Sequence, residues 1–164
     1  MAEASTPETR ITLPVARLLP REERRLVRGH GWAYRNEFAE LPPLRDGDVV
    51  RIVSNTREHL GVGYFQEEGG IAIRLLALGS ERFDDDLIRR RVERAAGLRK
   101  KLYAGHPVYR WIHGDSDGLS GCIADRYGPL VVVQAESPFY RARAELLANA
   151  FLAEDGVTGV LFRG

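Results

Sequence analysis

The residues best suited to chemistry lie in one short run. From Arg28 to Asn36 the chain reads Arg-Gly-His-Gly-Trp-Ala-Tyr-Arg-Asn, so cations, aromatics and an amide alternate between two glycines. Guanidinium groups pair with phosphates, aromatic rings stack on bases, and imidazole or amide groups meet base edges, which together are the contacts an unpaired RNA strand offers. The competing reading makes Trp32 and Tyr34 plugs of a hydrophobic interior. Trp32 is assigned to the core, and Arg28, His30 and Arg35 to a contact surface.

Charge around this run supports a polyanionic partner. Between Arg10 and Arg35 seven arginines stand against only Glu22 and Glu23, a local excess of five positive charges in a chain whose net charge is +1. A local excess steers toward a polyanion even when the whole molecule is near neutral. Of the 24 basic residues only Lys100 and Lys101 are lysine; arginine is the side chain suited to bidentate phosphate contacts. A GC-rich genome coding arginine for lysine explains that bias equally well, so its distribution carries the argument.

Other constellations point to little catalysis. His113, Asp115, Asp117 and Cys122 could be drawn as a thiol with base and orienter, since a thiolate needs a neighbouring imidazole. Turn-capping aspartates between glycines fit that stretch better. As hard-metal ligands the two aspartates lack a third and fourth oxygen partner. Gly61-Val-Gly63 has Gln66 where a dinucleotide loop needs its third glycine, and no P-loop, His-Glu-x-x-His or paired-cysteine spacing occurs. No catalytic, cofactor-binding or metal-binding residue is therefore assigned.

The elements that must position these residues follow from periodicity. Ile11 to Leu18 is β-rich, with Pro14 suiting an edge strand or bulge. Pro20 opens a short helix, Arg21 to Arg28, closed by Gly29 at the C′ position. Three strands are expected at Asp48–Val53, Leu60–Phe65 and Ile71–Leu78, spaced as in a small barrel. The period then changes to 3.6: Ile88, Val92, Ala95, Leu98 and Leu102 mark one face of a helix from about Asp84 to Tyr103. Asp84 to Asp86 at its start and Arg99 to Lys101 at its end match the macrodipole, as a solvated face. Strands at Val108–His113 and Leu130–Ala135 are joined by a glycine-rich connection. A second helix begins at Ser137-Pro138 with Ala142, Leu146, Leu147, Ala150 and Phe151 as its stripe, and Gly159–Phe162 is a last strand. The chain stops right after it, which points to something further downstream.

Bulk properties bound the class. With 164 residues, 44% of them hydrophobic, one core or two small ones can form. The single cysteine, Cys122, excludes an internal disulfide and fits a reducing compartment as a buried small hydrophobe. No export signal and no run of eighteen apolar residues occurs, so a cytoplasmic protein without membrane contact is expected.

The sequence Leu26-Val-Arg-Gly-His-Gly-Trp-Ala-Tyr-Arg-Asn-Glu37, with Gly47-Asp-Val-Val50 and Gly61-Val-Gly-Tyr64, resembles the N-terminal PUA domain of the SAM-dependent large-subunit rRNA cytosine-5 methyltransferases. Ile71-Ala-Ile-Arg-Leu-Leu76 and the stretch Tyr109 to Gly128 resemble the linker domain that follows it there; the family usually has glutamate at Asp115 and proline at Ser120. Residues 1–10 read as a disordered tail, and the resemblance implies an α+β fold after it: a PUA-like β pseudobarrel over 11–79, and a small α/β linker of strand-strand-helix-strand-strand type over 80–164, cut short at its C-terminal end. It implies RNA as partner, in particular large-subunit ribosomal RNA, with Arg24, Arg28, His30, Arg35 and, more weakly, Arg74 as contacts. The SAM-binding loop and the nucleophilic cysteine belong to a catalytic domain beyond this chain, so SAM is a cofactor of the full-length family and not of these residues. Alternatives are a stand-alone module docking on a ribosome or on a separate catalytic subunit, or a homodimer.

Overall fold

The structure, a computed structural model, describes residues 13–84, 86–135 and 137–163. The expected tail, the start of the first strand at Ile11, and Asp85 in the helix start lie outside these residues. Two sheets form, each around its own apolar cluster.

The first sheet is assembled from β1 (Val15–Leu18), β2 (Trp32–Tyr34), β3 (Phe38–Glu40), β4 (Val49–Val53), β5 (His59–Phe65) and β6 (Ile71–Leu78), in the spatial order β2-β6-β5-β4-β1-β3. It curls into a half-barrel. Ala16, Leu18, Ala33, Val50, Ile52, Phe65, Ala72, Ile73 and Leu75 fill its interior together with Leu26 from α1 (Glu23–Val27). Gly29 sits at the end of α1 with φ +89°, the left-handed region that glycine enters without cost. β1 runs parallel to β4 and antiparallel to β3, so it is interior to the sheet. Pro14 precedes it, and the Pro14 carbonyl accepts from Arg51 N at 2.9 Å, so the expected edge-strand role is not the one observed. The edge strands are β2 and β3.

The second sheet follows α2 (Asp86–Leu102) and comprises β7 (Val108–His113), β8 (Ile123–Tyr127), β9 (Leu130–Gln134) and β10 (Gly159–Arg163) in the order β10-β9-β8-β7. Helices α3 (Pro138–Arg141) and α4 (Ala144–Leu152) make the crossover that lets β10 lie parallel to β9. The single second helix expected from Ser137 is therefore two, and the segment holds three strands, helices and a fourth strand in place of two strands, a helix and two strands. The α2 face also differs from expectation. Leu87, Ile88, Val92, Ala95 and Ala96 are buried, whereas Leu98 and Leu102 are exposed. Arg99 takes an inward position, 8% exposed, because Asp117 stands opposite it at 2.6 Å. On α4 the buried stripe is Leu147, Ala150 and Phe151, with Leu146 exposed.

One aromatic ties the sheets together. Tyr64 of β5 belongs to the second cluster, stacked on Phe139 at 5.0 Å and edge-on to Tyr140 at 5.9 Å. Its hydroxyl donates to the Ser120 carbonyl at 3.0 Å, and Tyr140 donates to the same oxygen at 2.9 Å. Burial pushes the Tyr64 phenol up to about 12. Gly121, at φ +80°, has to be glycine here, since a Cβ would stand 2.3 Å from the Tyr64 hydroxyl.

Candidate nucleic-acid interface

The basic helix α1 and the loop after it carry most of the predicted contacts. Arg24 and Arg28 are exposed, and among the described residues neither guanidinium has a hydrogen-bond or ion-pair partner. Arg25, between them, is spoken for: its Nη1 donates to Glu37 Oε1 at 2.6 Å, its Nη2 contacts His30 Nε2, and the group lies 5.2 Å from the Tyr34 ring centroid. A guanidinium only donates, so in this contact His30 Nε2 is the acceptor. The imidazole in turn packs on Trp32 with ring centroids 4.0 Å apart.

Glu37 was not among the sequence-predicted residues, yet it organises this corner. It is buried, and its second oxygen accepts from Tyr34 N at 2.7 Å. The only signal in the sequence is its position at the end of the Arg28-to-Glu37 run, three residues after Tyr34.

Arg35 lies apart from the α1 cluster. Its guanidinium donates to the carbonyls of Gln66 (2.8 Å), Glu67 and Gly69 (3.4 Å) and stands 5.1 Å from the Phe65 ring centroid. These bonds occupy it in clamping the turn between β5 and β6. Arg74 is directly across the strand pair from Trp32, and its Nε donates to Gln66 Oε1 at 2.7 Å. Trp32 is half-buried on the edge strand β2 and lines a cleft, so its expected place in the core is corrected: edge position leaves one side of the indole outside the sheet's interior.

The Arg28–Asn36 run and the glycine-rich stretch after His113 meet at this place. Asp115 Oδ1 lies 2.8 Å from where a Cβ on Gly31 would be, so the Gly29–Gly31 loop and the turn after β7 pack together. Within that turn Asp117 does cap, its Oδ2 accepting from His113 N at 2.7 Å, and it also forms a two-pronged pair with Arg99 at 3.0 and 2.6 Å. The Asp115 carboxylate caps nothing among the described residues, contrary to expectation.

The catalytic alternatives fare poorly in this geometry. Cys122 is fully buried, and burial pushes its thiol up to about 12, which disfavours the thiolate a nucleophile needs. Among the described residues no group of three or more His, Cys, Asp or Glu side chains could hold a metal ion. Gly61-Val-Gly63 lies inside β5, where Cβ atoms on the two glycines would each meet a β6 carbonyl oxygen at 2.4 Å. These glycines serve close strand packing and do not fit a cofactor loop. Among the described residues no helix is long and apolar enough to cross a membrane.

Residues 16–78 match the family model of the PUA-like domain. The ribosomal RNA large subunit methyltransferase I of Alteromonas mediterranea is 34% identical over 121 residues, covering 71% of this chain and 30% of that protein. Its counterpart in Pseudoalteromonas atlantica is 31% identical over 150 residues, covering 89% of this chain and 38% of that protein. A structure described as a SAM-dependent methyltransferase from Streptococcus mutans superposes with a TM-score of 0.79 over 92% of this chain and 40% of its own, at 18% identity, a likeness of fold. The chain thus carries a PUA-like domain at residues 16–78 and is homologous, along about a third of their length, to the ribosomal RNA large subunit methyltransferases I.

Proposed function

We propose that this chain is the RNA-recognition portion of a SAM-dependent methyltransferase acting on cytosine C5 of large-subunit ribosomal RNA, with methyl transfer carried by residues outside it. In this reading residues 11–79 form the RNA-binding unit and 80–164 the linker unit, divided at Gly79-Ser80. The observation that carries it is the pair of guanidinium groups without partners among the described residues, Arg24 and Arg28, beside the His30–Trp32 ring contact on a PUA-like domain. Arg24 and Arg28 pair with phosphates, His30 meets a base edge, Arg74 contacts a base, and Arg35 contributes by holding the β5–β6 turn in place. Filter binding to large-subunit ribosomal RNA over a salt series tests this. Salt-dependent binding is expected, with Arg28→Ala reducing the salt slope by about one. Binding that is absent, or insensitive to salt, overturns the reading.

A second reading is favoured by one feature, the edge strand β10. Leu161 is 64% exposed and Phe162 is 39% exposed on it. Such an edge suits docking on a separate catalytic subunit, on a second copy of the chain or on a ribosomal protein. Co-purification that survives nuclease treatment supports this reading over the first.

A further inference from the structure

Between the two sheets runs an open cleft of about 790 Å³. Trp32, Gln66 and Arg74 line it from the first sheet, and His113, Asp115 and Arg141 from the second. Its size is within the range of sites that enclose small organic groups.

Three of its side chains have bonding capacity that the fold leaves unused. Trp32 Nε1 is buried without an acceptor among the described residues, an unusual state for an indole N–H. Arg74 is held through Nε by Gln66 while its terminal nitrogens bond to nothing among the described residues. Asp115 offers a carboxylate whose oxygens have no partner there, set against Gly31 at the seam of the two sheets.

A phosphate alone is not favoured by this lining, where three carboxylates, Asp46, Glu68 and Asp115, stand against two guanidinium groups, Arg74 and Arg141. A flat neutral group carrying both donors and acceptors does. Nucleobases are such groups, and they differ at the edge a carboxylate would meet. Cytosine and adenine present an exocyclic amine that an aspartate accepts from. Uracil presents carbonyl oxygens on both sides of its one N–H.

We infer that the cleft binds one unpaired, amino-bearing base of an RNA strand, with Asp115 accepting from the exocyclic amine while Arg74 and Trp32 Nε1 donate to the acceptors of the same nucleotide. This rests on the RNA-binding reading above and adds a base preference to it. The phosphate contacts of Arg24 and Arg28 supply affinity without sequence, and the cleft supplies discrimination.

The test is fluorescence anisotropy with 5′-labelled ten-nucleotide oligomers of cytidine and of uridine. The parent protein is expected to bind the cytidine oligomer roughly tenfold more tightly. Asp115→Asn brings the ratio close to one, because its amide can also donate to a uracil carbonyl; the change keeps the side chain's size against Gly31, and the carboxylate has no hydrogen-bond or ion-pair partner among the described residues, so the variant stays folded. Trp32→Phe, which keeps a ring and removes the N–H, weakens both oligomers. Arg28→Ala weakens both equally and leaves the ratio intact. A parent ratio of one, or an Asp115→Asn ratio equal to the parent's, overturns the base-reading cleft while leaving RNA binding in place. Failure of both oligomers and of ribosomal RNA to bind at low salt overturns the RNA-binding reading itself, and this inference with it.

Discussion

The Ser120 carbonyl, shared by two phenols, makes a sharp prediction about how the two sheets are joined. Tyr64 and Tyr140 donate to it at 3.0 and 2.9 Å, and both rings are buried. Replacing either tyrosine by phenylalanine removes one hydrogen bond and keeps the ring packing, at a cost of about 1 kcal/mol. The carbonyl retains the other donor. Replacing both leaves a buried carbonyl with no donor, which adds about 1–3 kcal/mol of uncompensated desolvation. The double variant Tyr64→Phe/Tyr140→Phe is therefore expected to lose more stability than the two single losses combined. Guanidinium unfolding followed by tryptophan emission and far-UV circular dichroism measures this, because Trp111 lies in the second core and Trp32 on the edge of the first sheet. Additivity within about 0.3–0.5 kcal/mol would refute the shared carbonyl. Two separable transitions in the parent protein would refute the joining role of Tyr64.

Other perturbations test other parts of the fold. Arg99→Ala leaves Asp117 as a buried unpaired carboxylate and is expected to cost about 3–5 kcal/mol, a fall of roughly 10 °C in the thermal midpoint for a chain of this size; an unchanged midpoint contradicts the buried pair. Alkaline pH acts through groups kept neutral by burial. Cys122 is raised from 9.0 to about 12 and Tyr64 from 10.0 to about 12, so both are charged in the unfolded chain before they are charged in the fold. Stability is then intact below pH 9 and declines as pH rises toward 12, seen as a lower unfolding midpoint at pH 11 than at pH 8, with a shallower decline in Cys122→Ala. Glu37→Gln releases Arg25 and is expected to cost about 1–3 kcal/mol. It also weakens RNA binding through the position of His30, with no change in salt slope because no phosphate contact is lost.

Much of the architecture was legible from hydrophobic period and punctuation. The strands at β4, β5 and β6, the basic α1 ending at Gly29, and the long α2 all stand within a few residues of their expected limits. The misses have physical causes. β2 and β3 are three residues each, too short for any period to register. β8 spells Ile-Ala-Asp-Arg-Tyr and was absorbed into the glycine-rich connection, because Asp125 and Arg126 look like loop residues until Arg110 is seen pairing with Asp125 at 2.9 Å. Leu98 and Arg99 exchanged their expected positions because a leucine next to a helix face scores as core, while nothing local announces that Asp117 waits opposite the arginine. At the interface, residue types identified the Arg28-to-Trp32 run. Its contact with Asp115, and the occupation of Arg35 by backbone carbonyls, depend on partners tens of residues away.

The seating of Tyr64 in the second core also bears on how the cleft meets its ligand. The walls are joined at a set width by a residue of the cleft's own lining, with Gly121 and Gly47 allowing the close approach on which the join depends. A site whose width is already set does not have to give up conformational freedom in closing around a nucleotide, so more of each contact remains as net affinity. On the proposed RNA-binding reading, selection then falls on the shape and hydrogen-bonding edge of the base that enters, and the flexible RNA strand bears the ordering cost.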